Sequence, residues 1–156
     1  METQATGVAM ARRSRKRGTL EFVLDGSIAL AWYFKDEADP YADAVAASLT
    51  TARAAVPLIW RLEVANALLM GERRQRSTEA QAGKWLAYLR SLPIAVDDET
   101  NDRAWSEVLG LARVHRLSAY DAAYLELALR RRLPLATLDN QLKAAAAKVG
   151  VSAFAP

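Results

Sequence analysis

Two short apolar runs, each stopping on an aspartate, constrain this chain more than any other feature. Phe22-Val23-Leu24 leads into Asp25, and Leu135-Ala136-Thr137-Leu138 leads into Asp139. Neither run alternates apolar with polar residues in the way a half-solvated strand does, so each reads as a strand buried on both faces. Strands of that kind form the interior of parallel α/β sheets, where ligands sit just beyond the carboxyl ends. Asp25 and Asp139 would stand there.

The intervening chain supplies what such a sheet needs. Strands are expected over residues 19–24, 54–59, 93–96, 133–138 and, at an edge, 151–154. Helices are expected over 27–34, 41–51, 60–74, 77–91, 100–115, 119–132 and 140–148. Strands alternating with helices predict βαβ units and a mostly parallel sheet. A length of 156 residues suits one domain. No apolar run approaches the ~20 residues of a membrane-crossing helix. The absence of cysteine excludes disulfides and thiolate metal sites, and fits a cytoplasmic protein with no membrane partner.

The net charge of +3 is unevenly placed. Arg12, Arg13, Arg15, Lys16 and Arg17 lie within residues 1–18, opposed there only by Glu2, so the remainder is close to neutral. Residues 1–18 lack hydrophobic periodicity and read as a disordered basic tail, with the folded domain at 19–156. Nucleic-acid affinity in the domain would then have to come from local patches. Arg73, Arg74 and Arg76, and the run Arg130 to Arg132, are the candidates, although such runs are ordinarily solvated faces.

Two further acids lie on helices. Asp121 shares a stripe with Tyr124, Leu125 and Ala128, opposite Glu126 and Arg130, and so points inward. It could instead complete a capping box with Ser118. Glu63 lies beside a stripe of Leu62, Ala65 and Leu69, and could simply be a solvated glutamate. Asp25 could be a turn residue, Asp139 an N-cap and Ser27 another. Taken together, four carboxylates converging on one sheet edge would repel one another, and a hard divalent cation such as Mg²⁺ or Mn²⁺ would remove that repulsion. His115 is the only histidine, which rules out a two-histidine ribonuclease, and it reads as a helix-end residue. Trp32, Trp60, Trp85 and Trp105 read mostly as core, with Trp60 an alternative base-stacking platform.

Four blocks in this order carry a resemblance. They are Val23-Leu24-Asp25-Gly26-Ser27, Trp60 to Leu68 around Glu63, Leu117 to Leu125 around Asp121, and Leu135-Ala136-Thr137-Leu138-Asp139. They resemble the motifs of PIN-domain ribonucleases, most closely the VapC toxins of bacterial toxin–antitoxin pairs. The resemblance implies a three-layer α/β fold with strand order 3-2-1-4-5. It also implies a Mg²⁺ or Mn²⁺ site of Asp25, Glu63, Asp121 and Asp139, with Ser27 or Asn140 as auxiliary polar groups. The activity implied is endoribonucleolytic, with water activated by the metal and products ending in 5′-phosphate and 3′-hydroxyl. An RNA substrate, a cognate antitoxin and a homodimer follow from the same likeness. Gly26 departs from the alanine or threonine often found after the first aspartate, and the basic tail is foreign to the pattern. Two alternatives are a phosphate-transferring hydrolase with Asp25 as nucleophile, and a non-catalytic RNA- or protein-binding regulator. Ser27 stands where the first of these usually carries a second aspartate.

Overall fold

The computed structural model describes residues 18–156, so the basic segment lies outside the described residues apart from Gly18. A four-stranded, wholly parallel sheet has the order β3-β2-β1-β4, with β1 Glu21–Leu24, β2 Arg53–Pro57, β3 Ile94–Asp97 and β4 Leu135–Ala136. The expected fifth strand is reduced to one parallel bridge, Leu135 to Ala153, and β4 itself spans two residues. Phe22, Val23 and Leu24 are wholly buried, as a central strand without alternation requires. The C-terminal segment closes over it, with the Phe154 ring stacked on Phe22 at 3.9 Å.

Among the described residues seven α-helices flank the sheet: α1 Gly26–Tyr33, α2 Pro40–Ser48, α3 Ile59–Arg73, α4 Glu79–Ser91, α5 Leu109–His115, α6 Ala119–Arg131 and α7 Asn140–Lys148. Their starts follow local chemistry. Asp39 accepts from the Tyr41 and Ala42 amides ahead of α2, with Pro40 in the first turn. Thr78 and Gln81 form a complete capping box on α4. No helix among the described residues is long and apolar enough to cross a membrane.

Three expectations are corrected. The helix expected over 100–115 breaks into a 3₁₀ turn at Asn101–Arg103, a π-helical turn at Ala104–Val108, and α5. Trp105 on the π turn is 94% exposed rather than core. On α3 the buried face is Trp60, Val64, Leu68 and Gly71, whereas Leu62 and Leu69 are 65% and 49% exposed. The helix is apolar on two faces, and sequence periodicity alone does not say which is covered.

Gly71 decides the matter physically. A Cβ there would lie 2.8 Å from two carbons of the buried Phe34 ring, so α3 approaches the end of α1 only through a residue without a side chain. Arg76 lies over the same ring, 4.0 Å from its centroid. Gly71→Ala should therefore destabilise the fold by about 1–3 kcal/mol, the usual cost of overpacking. Denaturant midpoints of the two proteins check this; an unchanged or raised midpoint would show that Phe34 yields freely.

Candidate active site

Asp25 ends β1 and occupies the N-cap position of α1, yet its carboxylate caps nothing. It is 4% exposed and tied to the neighbouring strand through its own amide, which donates to the Ala136 carbonyl at 3.0 Å. Two hydroxyls, Ser27 Oγ at 2.6 Å and Thr137 Oγ1 at 2.8 Å, donate to Asp25 Oδ2. Each hydroxyl also accepts from the backbone, Ser27 from the Leu138 amide and Thr137 from the Asp139 amide, both at 3.0 Å. Their protons are thereby committed to Asp25, so this oxygen is fixed as an acceptor. Burial pushes the Asp25 pKa up, and the hydroxyls and nearby amides oppose that rise.

Glu63 reaches the same place from the second turn of α3. Tyr124, one turn beyond Asp121 on α6 and wholly buried, donates its hydroxyl to Glu63 Oε1 at 2.8 Å. A Cβ on Gly26 would sit 3.7 Å from both Glu63 Oε2 and the Tyr124 hydroxyl oxygen, placing the α1 start in contact with this pair. Burial, together with the charges of Asp25 and Asp121, pushes the Glu63 pKa up to about 7 against the Tyr124 hydrogen bond.

Asp121 lies in the first turn of α6. The Ser118 hydroxyl caps that helix by accepting from the Asp121 amide at 3.1 Å. Burial raises the Asp121 pKa, and Asp25 and Asp139 add to the rise. Asp139 caps α7 by accepting from the Leu142 amide at 2.8 Å, as its simplest reading expected. Asn140 follows in the first turn of α7, exposed and without a side-chain hydrogen bond to the described residues.

The structure thus brings Glu63 within electrostatic reach of Asp25 and Asp121, and Asp121 within reach of Asp25 and Asp139, and ties Ser27 to Asp25. It leaves Asn140 at the margin. None of the ion pairs among the described residues involves any of the four acids. An all-oxygen, uncompensated set has the chemistry that hard divalent cations require. As the side chains lie, no three described carboxylate or imidazole groups are placed to hold one ion, so binding would draw them inward.

The sequence reading missed two partners. Thr137 lies inside an apolar run, and Tyr124 reads from periodicity only as part of the inward stripe of its helix. The available signal was a hydroxyl on a strand buried on both faces, since buried donors need acceptors. Trp60 is buried and not free to stack a base. Half of the basic-patch arginines are engaged: Arg76 pairs with Asp36 and Glu37, Arg131 with Glu21, and Arg130 with Asp97, Glu99 and Glu126. Among the described residues Arg73, Arg74 and Arg132 form no ion pair. His115 ends α5, as expected.

A family model described as "PIN domain" matches residues 22–148, a span that takes in all four acids and both hydroxyl partners. The chain belongs to the PIN domain family. PIN domains are generally metal-dependent nucleases. Among solved structures, PAE2754 from Pyrobaculum aerophilum is similar in fold, with a TM-score of 0.62 and 24% identity over 82% of this chain and 86% of that one. No curated protein matches the chain significantly.

The raised Glu63 pKa has a measurable consequence in this PIN domain. In the metal-free protein the folded state holds the Glu63 proton up to about pH 7, whereas the unfolded chain releases it near its ordinary value of 4.5. Stability contributed by this group is therefore fully present below that ordinary value and is lost as pH rises toward 7. Urea midpoints in EDTA should fall over that window, and Glu63→Gln should flatten the fall. An equal slope in both proteins would place the titration elsewhere.

Proposed function

We propose that this PIN domain hydrolyses RNA phosphodiester bonds, with Mg²⁺ or Mn²⁺ held by Asp25, Glu63, Asp121 and Asp139. The observation that carries the reading is that, among the described residues, no ion pair reaches Asp25, Glu63, Asp121 or Asp139, while Asp25 and Asp121 act on Glu63 and Asp25 and Asp139 act on Asp121. A bound divalent ion would supply charge neutralisation, acidification of the attacking water and a counter-charge for the scissile phosphate. The chain supplies the frame. Ser27 and Thr137 hold Asp25 Oδ2 from one side, and Tyr124 holds Glu63 Oε1. Glu63 Oε2 and the Asp121 carboxylate orient water for in-line attack on phosphorus. No pair of histidines is available to activate the ribose 2′-OH, since His115 is the only histidine in the sequence.

Incubation of the purified protein with total RNA in Mg²⁺, Mn²⁺ or EDTA, followed by end mapping, tests this. Cleavage only with metal, leaving 5′-phosphate and 3′-hydroxyl ends, is expected. EDTA-resistant cleavage, or 2′,3′-cyclic phosphate ends, would overturn it.

In the same reading the chain acts in the cytoplasm as the toxin of a toxin–antitoxin pair and as a homodimer. The motif blocks support this, as does the uncovered apolar side of α3, where Leu58, Leu62 and Leu69 are exposed beside the helix face that carries Glu63. An apolar groove of about 850 Å³ also runs between α3 and α4. The antitoxin would place an arginine among the carboxylates, where its planar fork pairs bidentately. Co-purification with an inhibitory protein, and renewed cleavage on charge reversal of its inserted residue, are the expected results. Failure to capture any inhibitor would remove the toxin role and leave the nuclease standing.

A further inference from the structure

We infer that Tyr124 is a positioning residue that holds the Glu63 carboxylate in the acidic cluster before an ion arrives. This rests on the metal-dependent reading above. Glu63 extends a flexible side chain from α3 until its Oε2 comes up against Gly26, the residue after Asp25. Left alone, it would swing outward, where water solvates it and rotamer freedom returns. Only one side-chain hydrogen bond opposes that among the described residues, from Tyr124 at 2.8 Å. The phenol suits the task. Its ring is wholly buried, so the hydroxyl position is fixed by packing. A phenol carries its proton at neutral pH, so the hydroxyl can donate to the carboxylate. With Oε1 engaged, Oε2 is left against Gly26, directly after Asp25. Helix α6 thus supplies one carboxylate, Asp121, and one turn later the hydroxyl that pins another.

Tyr124→Phe keeps the ring and removes the hydroxyl. Partners that orient metal ligands typically cost 10–100-fold in affinity or activity when removed, so calorimetric Mn²⁺ binding should weaken by roughly that factor. The Mn²⁺ concentration for half-maximal cleavage should rise in parallel. In a Glu63→Gln background the same change should have no further effect on Mn²⁺ affinity. Mn²⁺ affinity within about twofold of wild type would overturn the inference, as would a full loss persisting beside Glu63→Gln. If Tyr124→Phe does not fold, the wild type decides: with tyrosine labelled at ¹³Cζ, the Tyr124 resonance should move on Mg²⁺ addition with the calorimetric midpoint, and a stationary resonance would overturn the inference. A wild type that binds no Mn²⁺, and matches Asp25→Asn in doing so, would instead sink the nuclease reading itself.

Discussion

Asp121→Asn is expected to lower RNA cleavage by more than about 100-fold, the upper range for losing a mere supporting partner of a metal ligand. The same change should leave the metal-free protein as stable as wild type, or more so. Asp121 is held in its charged form against burial and against the charges of Asp25 and Asp139, so a neutral isostere relieves the fold of that repulsion. The helix cap survives, because Ser118 accepts from the backbone amide of residue 121 and not from its side chain. What is lost is a negative charge near a helix N-terminus, which costs about 0.3–1 kcal/mol. Mg²⁺ should separate the two proteins in the opposite direction. At a hundred times Kd it stabilises the wild type by roughly 2.7 kcal/mol, and the variant far less. Melting curves in EDTA and in Mg²⁺ read both effects. A drop in melting temperature that ignores metal, with cleavage intact, would reduce Asp121 to a capping residue.

The largest stability effect is expected far from the acids. Arg130 pairs with Asp97 at 2.7 Å, Glu126 at 2.8 Å and Glu99 at 3.2 Å, and Arg103 joins Glu126 from the broken helical segment. Glu126 is 3% exposed. Arg130→Met would leave it and Asp97 with buried, poorly compensated charge, a change that costs about 3–5 kcal/mol. For a chain of this size that corresponds to a fall of very roughly 6–20 °C in melting temperature. Adding Glu126→Leu should recover much of the loss, since an apolar pair of similar volume is often as stable as the ion pair. Acid should erase the difference. Burial pushes the Asp97 pKa up, but the Arg130 hydrogen bonds and charge outweigh it and hold the carboxyl below its ordinary 3.8. The pair's stabilisation is therefore complete above that ordinary value and is lost as pH falls through the lower folded one. Equal melting temperatures at neutral pH would show the network to be ornamental.

The central strand and the helices around it were legible because burial on two faces leaves a local trace. Phe22-Val23-Leu24 has no polar alternation, and the caps at Ser118 and Asp139 lie in short, readable patterns. The acids were legible as positions, each at a strand end or an early helical turn. What escaped was set by pairings across long stretches of chain. Glu126 and Arg130 read as a solvated face, yet Asp97 is 33 residues from Arg130 and comes to meet it. The segment 99–107 is drawn onto α6 by Arg103, and regular α-helix gives way there to 3₁₀ and π turns. Thr137 reaches Asp25 across a separation of 112 residues, and Tyr124 reaches Glu63 across 61. No window of local periodicity contains such pairs.

Those separations also govern when the site comes into being during protein synthesis. Parallel pairing of β1 with β4 joins Val23 to Leu135, and the ring of Phe154 then stacks on Phe22. Of the four acids Asp25 leaves the ribosome first, and the hydroxyl of Thr137 and the carboxylate of Asp139 emerge more than a hundred residues later. Contacts this distant in sequence form only after the intervening loop has closed, so they come late in folding. A ribosome-bound chain that has not yet released β4 therefore carries two or three of its acids and no complete cluster. In a nuclease, that ordering would keep the nascent chain harmless to nearby RNA until β4 and the residues just after it have emerged.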